Sequence, residues 1–278
     1  LWEIRFPHMI LVALTGAALA GSGAAYQGLF RNPLADPYLI GVASGAGLGA
    51  VVVMAATDFT RFLIPIGAFL GALVTIVAVY SLARVGKMVP LTTLILAGVA
   101  VGSFTSAITS FLMLMSEGRV HQAMAFLLGG STVSGWEPVK IALPYLLLGM
   151  GLLIFTGHPL NVLQFGEEQA QQLGLRVERI KIFIILAASL TAAAAVSFSG
   201  VIGFVGLVVP HITRMIWGGD YRRLIPLSIL GGGVTLLISD LLARTVMAPQ
   251  TIPVGIVTAL AGAPFFLWIL RRAKREVF

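Results

Sequence analysis

Gly157 to Lys181 reads GHPLNVLQFGEEQAQQLGLRVERIK, and it decides the architecture of the whole chain. Six of the 29 charged side chains lie inside it: Glu167, Glu168, Arg176, Glu178, Arg179 and Lys181. No charged residue occurs in the 26 residues before Glu167 or in the 32 after Lys181. A segment this polar must lie outside hydrocarbon, and the runs beside it belong inside. Its internal pattern is helical. Glu167 and Glu168 suit the positive end of a helix dipole. Leu173 and Gly174 suit the close of that helix, with the glycine placed for a left-handed C′ position. Leu175, Val177 and Ile180 then make a second apolar stripe among Arg176, Glu178 and Arg179. Two short amphipathic helices on one membrane face form a docking surface for a soluble partner. The plain alternative is a solvated loop that joins two spans.

The composition agrees with this division. Of 278 residues, 58% are hydrophobic and 10% charged, where a soluble domain carries about 25% charged. Mean hydropathy is +0.99. The chain reads as an integral membrane protein, one transmembrane domain over residues 1–278. The absence of cysteine excludes disulfides, iron–sulfur clusters and thiolate metal sites. The net charge of +7 reports topology rather than nucleic-acid binding. No cleavable signal peptide is visible. Leu1 stands where a Met would, so the chain is expected to begin inside a longer protein.

A spanning helix needs about 20 apolar residues. Charge-free runs occupy Phe6–Phe30, Pro37–Thr57, Phe62–Ala83, Met88–Ser116, Ile141–Phe155, Ile182–Thr213, Leu224–Ser239 and Thr245–Leu270. The last is expected to start its helix near Val254, after Pro249 and Pro253. The Ile182–Thr213 run is too long for one crossing and too short for two. Ser197, Ser199, Gly200, Gly203 and Gly206 punctuate its middle, which predicts one span to about Val196, a turn, and a short helix ending near Ile216. Broken backbone at membrane depth survives only beside a cavity or packed protein. The result is nine passages, one of them short. With the polar loop in the cytoplasm, 13 of the 18 Lys and Arg fall inside. Arg5, Arg61, Arg119, Lys140 and Arg244 fall outside. The positive-inside bias then places the N-terminus outside and the C-terminus in the cytoplasm. His121–Leu128 reads as a short external helix, able to cap an opening or simply to lie at the interface, with Trp136 at headgroup level.

No catalytic constellation emerges. His8, His121, His158 and His211 sit in separate segments without metal-ligand spacing, and no phosphate-binding loop is present. Asp240 is the one acid within a span, and Arg244 follows it at i,i+4. Ion-coupled carriers usually place ionisable residues near the midplane, so if the chain is a transporter its energy would come from a soluble partner at the polar loop.

Five stretches carry a resemblance: RNPLADPYLIGVASGAGLGA (Arg31–Ala50), LILAGVAVG (Leu94–Gly102), GEEQAQQLGL (Gly166–Leu175), GFVGLVVPHITR (Gly203–Arg214) and PVGIVTALAGAPFFLWILRR (Pro253–Arg272). In this order the chain resembles the FecCD-type ABC importer permeases, membrane subunits for iron–siderophore, haem and vitamin B12 uptake. The resemblance implies an all-α polytopic bundle of ten spans, of which the first would be missing here. It implies a homodimer in a bacterial or archaeal cell membrane, with two ATP-binding subunits below. A periplasmic or lipoprotein substrate-binding protein would dock above. No cofactor and no enzymatic activity of the chain's own are implied.

Residues carry over position by position. Glu167, Glu168, Gln169, Gln172, Leu173, Gly174 and Leu175 would couple to the ATPase. Leu91, Thr92 and Thr93 would narrow the path at the cytoplasmic gate, after Pro90 in a position suited to a helix start. Arg5, His8 and Arg244 would pair with glutamates of the binding protein. Arg is expected where His8 stands, and a neutral imidazole adds little to an ion pair until it is protonated. Interfacial snorkelling, or for Arg244 an internal pair with Asp240, is the competing reading. The alternative function is a stand-alone secondary carrier.

Overall fold

The structure, a computed structural model, describes residues 2–56, 62–86, 88–116, 120–130 and 135–277. Thr57, Arg61, Lys87 and Arg119, used above, lie outside the described residues. Six helices are long and apolar enough to cross a membrane. They are α1 (Arg5–Leu29), α3 (Leu63–Ala83), α4 (Leu91–Met115), α6 (Trp136–Phe155), α9 (Val177–Ser199) and α11 (Tyr221–Thr245). Three shorter apolar helices complete the bundle: α2 (Val42–Ala56), α10 (Val205–Trp217) and the Val254–Ile269 part of α12 (Val254–Val277). The remaining described helices, α5 (Val120–Leu127), α7 (Gly157–Leu163) and α8 (Glu167–Gln172), lie at or between the ends of the spans.

Side-chain size decides which helices are central. α1 carries small residues on every face, and every residue from Thr15 to Leu29 is buried. α9 ends in a run of alanine, serine and threonine that is buried likewise. Small residues let backbones approach in lipid, where packing rather than water exclusion drives association. A Cβ on Gly23 would overlap the Gly206 carbonyl, and one on Gly16 the Gly232 carbonyl. Gly49 meets the Gly67 carbonyl in the same way, closing α2 on α3. Hydroxyl pairs lock α1 to α9: Thr15 Oγ1 to Ser199 Oγ at 2.6 Å and Tyr26 OH to Ser189 Oγ at 2.6 Å. Gln27 Nε2 donates to the Leu207 carbonyl on α10 at 3.0 Å.

The break between α9 and α10 falls within the punctuated segment, with α9 running on to Ser199 rather than ending at about Val196, and the chain also breaks at a second place. Pro37–Thr57 was read as a full span, yet α2 has only 15 residues. After α1, the segment Asn32–Gly41 turns back into the bundle. Pro37 packs on Gly206, and the Leu39 carbonyl packs on Gly98, two turns inside α4. Its peptide groups are satisfied locally by Asn and Asp turns: Leu34 N to Asn32 Oδ1 at 2.9 Å and Tyr38 N to Asp36 Oδ1 at 2.8 Å. α2 therefore starts part-way through the bundle and needs fewer residues to leave it.

The two breaks meet. Tyr38 OH donates to the Ile202 carbonyl at 2.9 Å and accepts from the Ile202 N–H at 3.3 Å. α5 is no loose interfacial helix, because Phe126 is fully buried and its carbonyl accepts the Val201 N–H at 3.0 Å. The Leu128 carbonyl accepts the Gly255 N–H at 3.1 Å, which seats the start of α12 on the same plug. Trp136 packs in tilted contact with the rings of Trp2 and Phe6, tying the start of α6 to the start of α1.

Overpacking such a contact costs about 1–3 kcal/mol. Gly23→Ala is expected to lower the thermal midpoint in detergent. Gly151→Ala on α6, with nothing within 4 Å of the added carbon, is expected to leave it unchanged or slightly raised.

Candidate functional site

The polar interruption folds into a platform at one end of the bundle. Glu167 and Glu168 occupy the first turn of α8. The helix closes as a Schellman motif: Leu175 N–H bonds the Ala170 carbonyl at 3.0 Å and Gly174 N–H bonds the Gln171 carbonyl at 2.9 Å. Gly174 takes φ +85° for that purpose. Glu168, Gln169, Gln172, Leu173 and Gly174 are exposed, and Leu173 is 68% accessible. Two sequence expectations need correction. The second short helix is α7, before α8. The Leu175–Ile180 stripe instead enters α9 directly, since α9 starts at Val177. Leu175 packs against the core rather than facing outward. Phe165, which the sequence reading passed over, is 69% accessible in the turn before α8.

Three clasps hold this platform. Gln164 Nε2 donates to the Gly28 carbonyl at the end of α1 at 3.0 Å. Asn161 on α7 reads the start of α11: its Nδ2 donates to Asp220, and its Oδ1 accepts the Tyr221 N–H at 2.8 Å. Beside it, Arg222 donates to His158 Nδ1, since a guanidinium has no acceptor. The third clasp is Lys181, counted above only as a positive charge. It is 2% exposed and bonds both Glu167 and Glu178.

Leu91, Thr92 and Thr93 open α4 directly after Pro90, the N-cap residue. Thr93 Oγ1 donates to the Ala83 carbonyl at 3.0 Å and the Pro90 carbonyl at 2.8 Å, so it serves the α3–α4 connection. Thr92 is the exposed member of the three. It begins a stripe of exposed residues at helical spacing: Thr92, Leu96, Val99, Ser103, Ser106 and Ser110. Ser103 and Ser110 bond back to carbonyls of their own helix, so the second half of the stripe carries small hydroxyls while Leu96 and Val99 keep the first half apolar. Only 17% of the apolar window of α4 is buried, against 78% for α1. The i,i+3,i+7 spacing of the three serines was legible in the sequence and went unused.

At the opposite end, His8 and Arg244 converge on Asp240. His8 Nε2 lies 3.0 Å from Oδ1, and Arg244 Nε lies 2.8 Å from Oδ2. The acid within a span is thus paired on both oxygens, and it ties α1 to α11. Arg5 lines the same cavity of about 420 Å³, together with Ser199 and Ile202 of the broken segment. Arg5 has no polar partner among the described residues.

The pattern of the FecCD transport family matches residues 1–272. The chain belongs to the FecCD transport family. A cobalamin import system permease protein of Halobacterium salinarum is 46% identical, over 99% of this chain and 73% of its own length. A hemin transport system permease protein of Yersinia pestis is 39% identical, over 99% of this chain and 84% of its own. A solved transporter assigned to the metal-chelate ABC type, in an inward-facing conformation, superposes with a TM-score of 0.89 at 31% identity. It covers 97% of this chain and 88% of its own. The fold is that of a helical ABC importer permease. The five FecCD-like stretches map to the broken segment with α2, the first half of α4, the platform helix α8, most of α10 with the turn before it, and α12.

The α7–α11 clasp makes a pH prediction. Hydrogen bonds from Asn161 and from the Arg222 N–H hold the Asp220 carboxyl below its ordinary range. A depressed folded pKa contributes stability above the usual carboxylate range and loses it as pH falls through the folded value. Amide exchange in α7, corrected for intrinsic rate, is expected to accelerate on acidification. Asp220→Asn is expected to remove that pH step.

Proposed function

We propose that this chain is the permease subunit of an ATP-binding-cassette importer for metal chelates of the iron–chelate, haem or cobalamin kind. Two copies would enclose the path. The platform end, rich in Arg and Lys, would face the cytoplasm together with the C-terminus. Two separate ATP-binding subunits would seat on it and supply the energy. The observation that carries the reading is the platform itself. In a chain with 10% charged residues, the α7–α8 platform is clasped to three spans and still leaves Leu173 and Phe165 bare. Large apolar side chains exposed at a charged membrane face mark a protein interface.

The serine-bearing face of α4 supports a path through the dimer. Its small hydroxyls suit a watery surface, and its lack of charge suits a path that leaves selectivity to a binding protein. Thr92 would stand at the cytoplasmic gate. A binding protein would dock at the other end, where, of Arg5, His8 and Arg244, Arg5 is the one left available to meet an acidic partner. A stand-alone secondary carrier is not favoured, because Asp240 is already paired on both oxygens at the far end of α11.

An interface anchor contributes about 2 kcal/mol. Leu173→Asp combined with Phe165→Asp is expected to reduce copurification of the ATP-binding subunit more than about tenfold while the permease stays inserted. Normal copurification would refute the docking role. Rim charges set association rate and its salt dependence. Arg5→Glu is therefore expected to slow association of the cognate binding protein with permease nanodiscs and to flatten the response to ionic strength.

A further inference from the structure

The docking role of α8 and the gate role of Thr92, both resting on the function proposed above, leave one question of mechanics. The two sites sit on helices that pack on different neighbours: α8 on α7 and α9, α4 on α2, α3 and α5. Something must carry a displacement of one to the other.

One polar chain joins them. Lys181, one turn into α9, is 2% exposed. Its ammonium donates to Glu167 Oε2 at 3.0 Å and Oε1 at 3.2 Å, and to Glu178 Oε1 at 2.7 Å. An ammonium has three donors, so these contacts saturate it. The second oxygen of Glu178 accepts the Val89 N–H at 3.1 Å. Val89 is itself buried, and it precedes Pro90, the N-cap of α4. Each step is one side chain long. The path runs from the first turn of α8, through Lys181, through Glu178, to the backbone that starts α4.

We infer that Lys181 is a positioning residue that relays movement of the ATPase-docking helix to the gate. A buried ammonium is an expensive way to staple a loop. Apolar residues of similar volume would do so as well or better. An ion pair differs in being directional, because it holds two carboxylates at fixed distance while both remain partly exposed. Pulling Glu167 outward must move the ammonium, and with it Glu178 and the peptide of Val89. Proline then transmits the shift without slack, since its φ is fixed.

The absence of cysteine makes the test clean. Thr92→Cys supplies the only thiol of the subunit in a complex with its ATP-binding partner, reconstituted in nanodiscs. Maleimide labelling is measured with and without ATP plus vanadate, scored per trapped nucleotide. Coupling free energies of 1–3 kcal/mol correspond to at least about fivefold changes. The Thr92→Cys parent is expected to change labelling rate by that factor, and addition of Lys181→Met to reduce the change below about twofold. Lys181→Arg is expected to restore part of it, which a merely structural loss would not predict. If Lys181→Met yields no monodisperse complex, Glu178→Gln decides by the same readout, with the same expected loss. An undiminished nucleotide response in the variant that folds overturns the relay. No response in the parent itself overturns the gate reading beneath it, and that outcome is visible before any relay variant is made.

Discussion

Hydrocarbon offers a peptide group no partner, and the two irregular stretches described inside the bundle are arranged around that fact. The chain breaks twice inside the bundle, at Asn32–Gly41 and between α9 and α10. Each break is tolerated because another piece of backbone reaches it. Tyr38 serves both polar groups of Ile202, and the Phe126 carbonyl receives the Val201 N–H. Such bonds need backbones close together at depth. α1 and the second half of α9 provide that closeness, since their small residues let neighbouring backbones approach. The small central helices and the broken segments are one design, each permitting the other.

The second constraint is the treatment of charge. With so few charged groups, two that lie inside the bundle, Asp240 and Lys181, are matched contact by contact. Asp240 takes His8 on one oxygen and Arg244 on the other. Lys181 spends its three donors on two first-turn carboxylates. The first cluster closes the junction of α1 and α11 at one end. The second joins α8, α9 and the start of α4 at the other. Ion pairs are poor sources of stability in such places, because desolvation offsets most of the attraction. They are good at fixing geometry, which is what the ends of a conformationally active bundle need. Among the charges left exposed are Glu168 on α8 and Arg5 at the far end, both available to partners.

The sequence by itself determined the membrane class, the nine apolar segments, the helix at Glu167 with its glycine cap, and a break in the Ile182–Thr213 run, which it set at about Val196. These follow from local causes: run length against bilayer thickness, dipole and capping chemistry, and the φ that glycine alone takes freely. It also determined the family, through five stretches in fixed order. Tertiary structure decided the rest. Pro37–Thr57 looked like a full span because an extended segment buried in protein is as apolar as a helix in lipid. Leu175 and Ile180 looked like a second surface helix because an amphipathic stripe does not say whether a helix stops or runs on into a span. Glu167 and Glu168 are adjacent and identical, yet one is drawn inward by Lys181 and the other left outside. Which carboxylate meets the ammonium depends on where α9 emerges beside α8. That is fixed by the packing of distant helices and not by any residue near them in the chain.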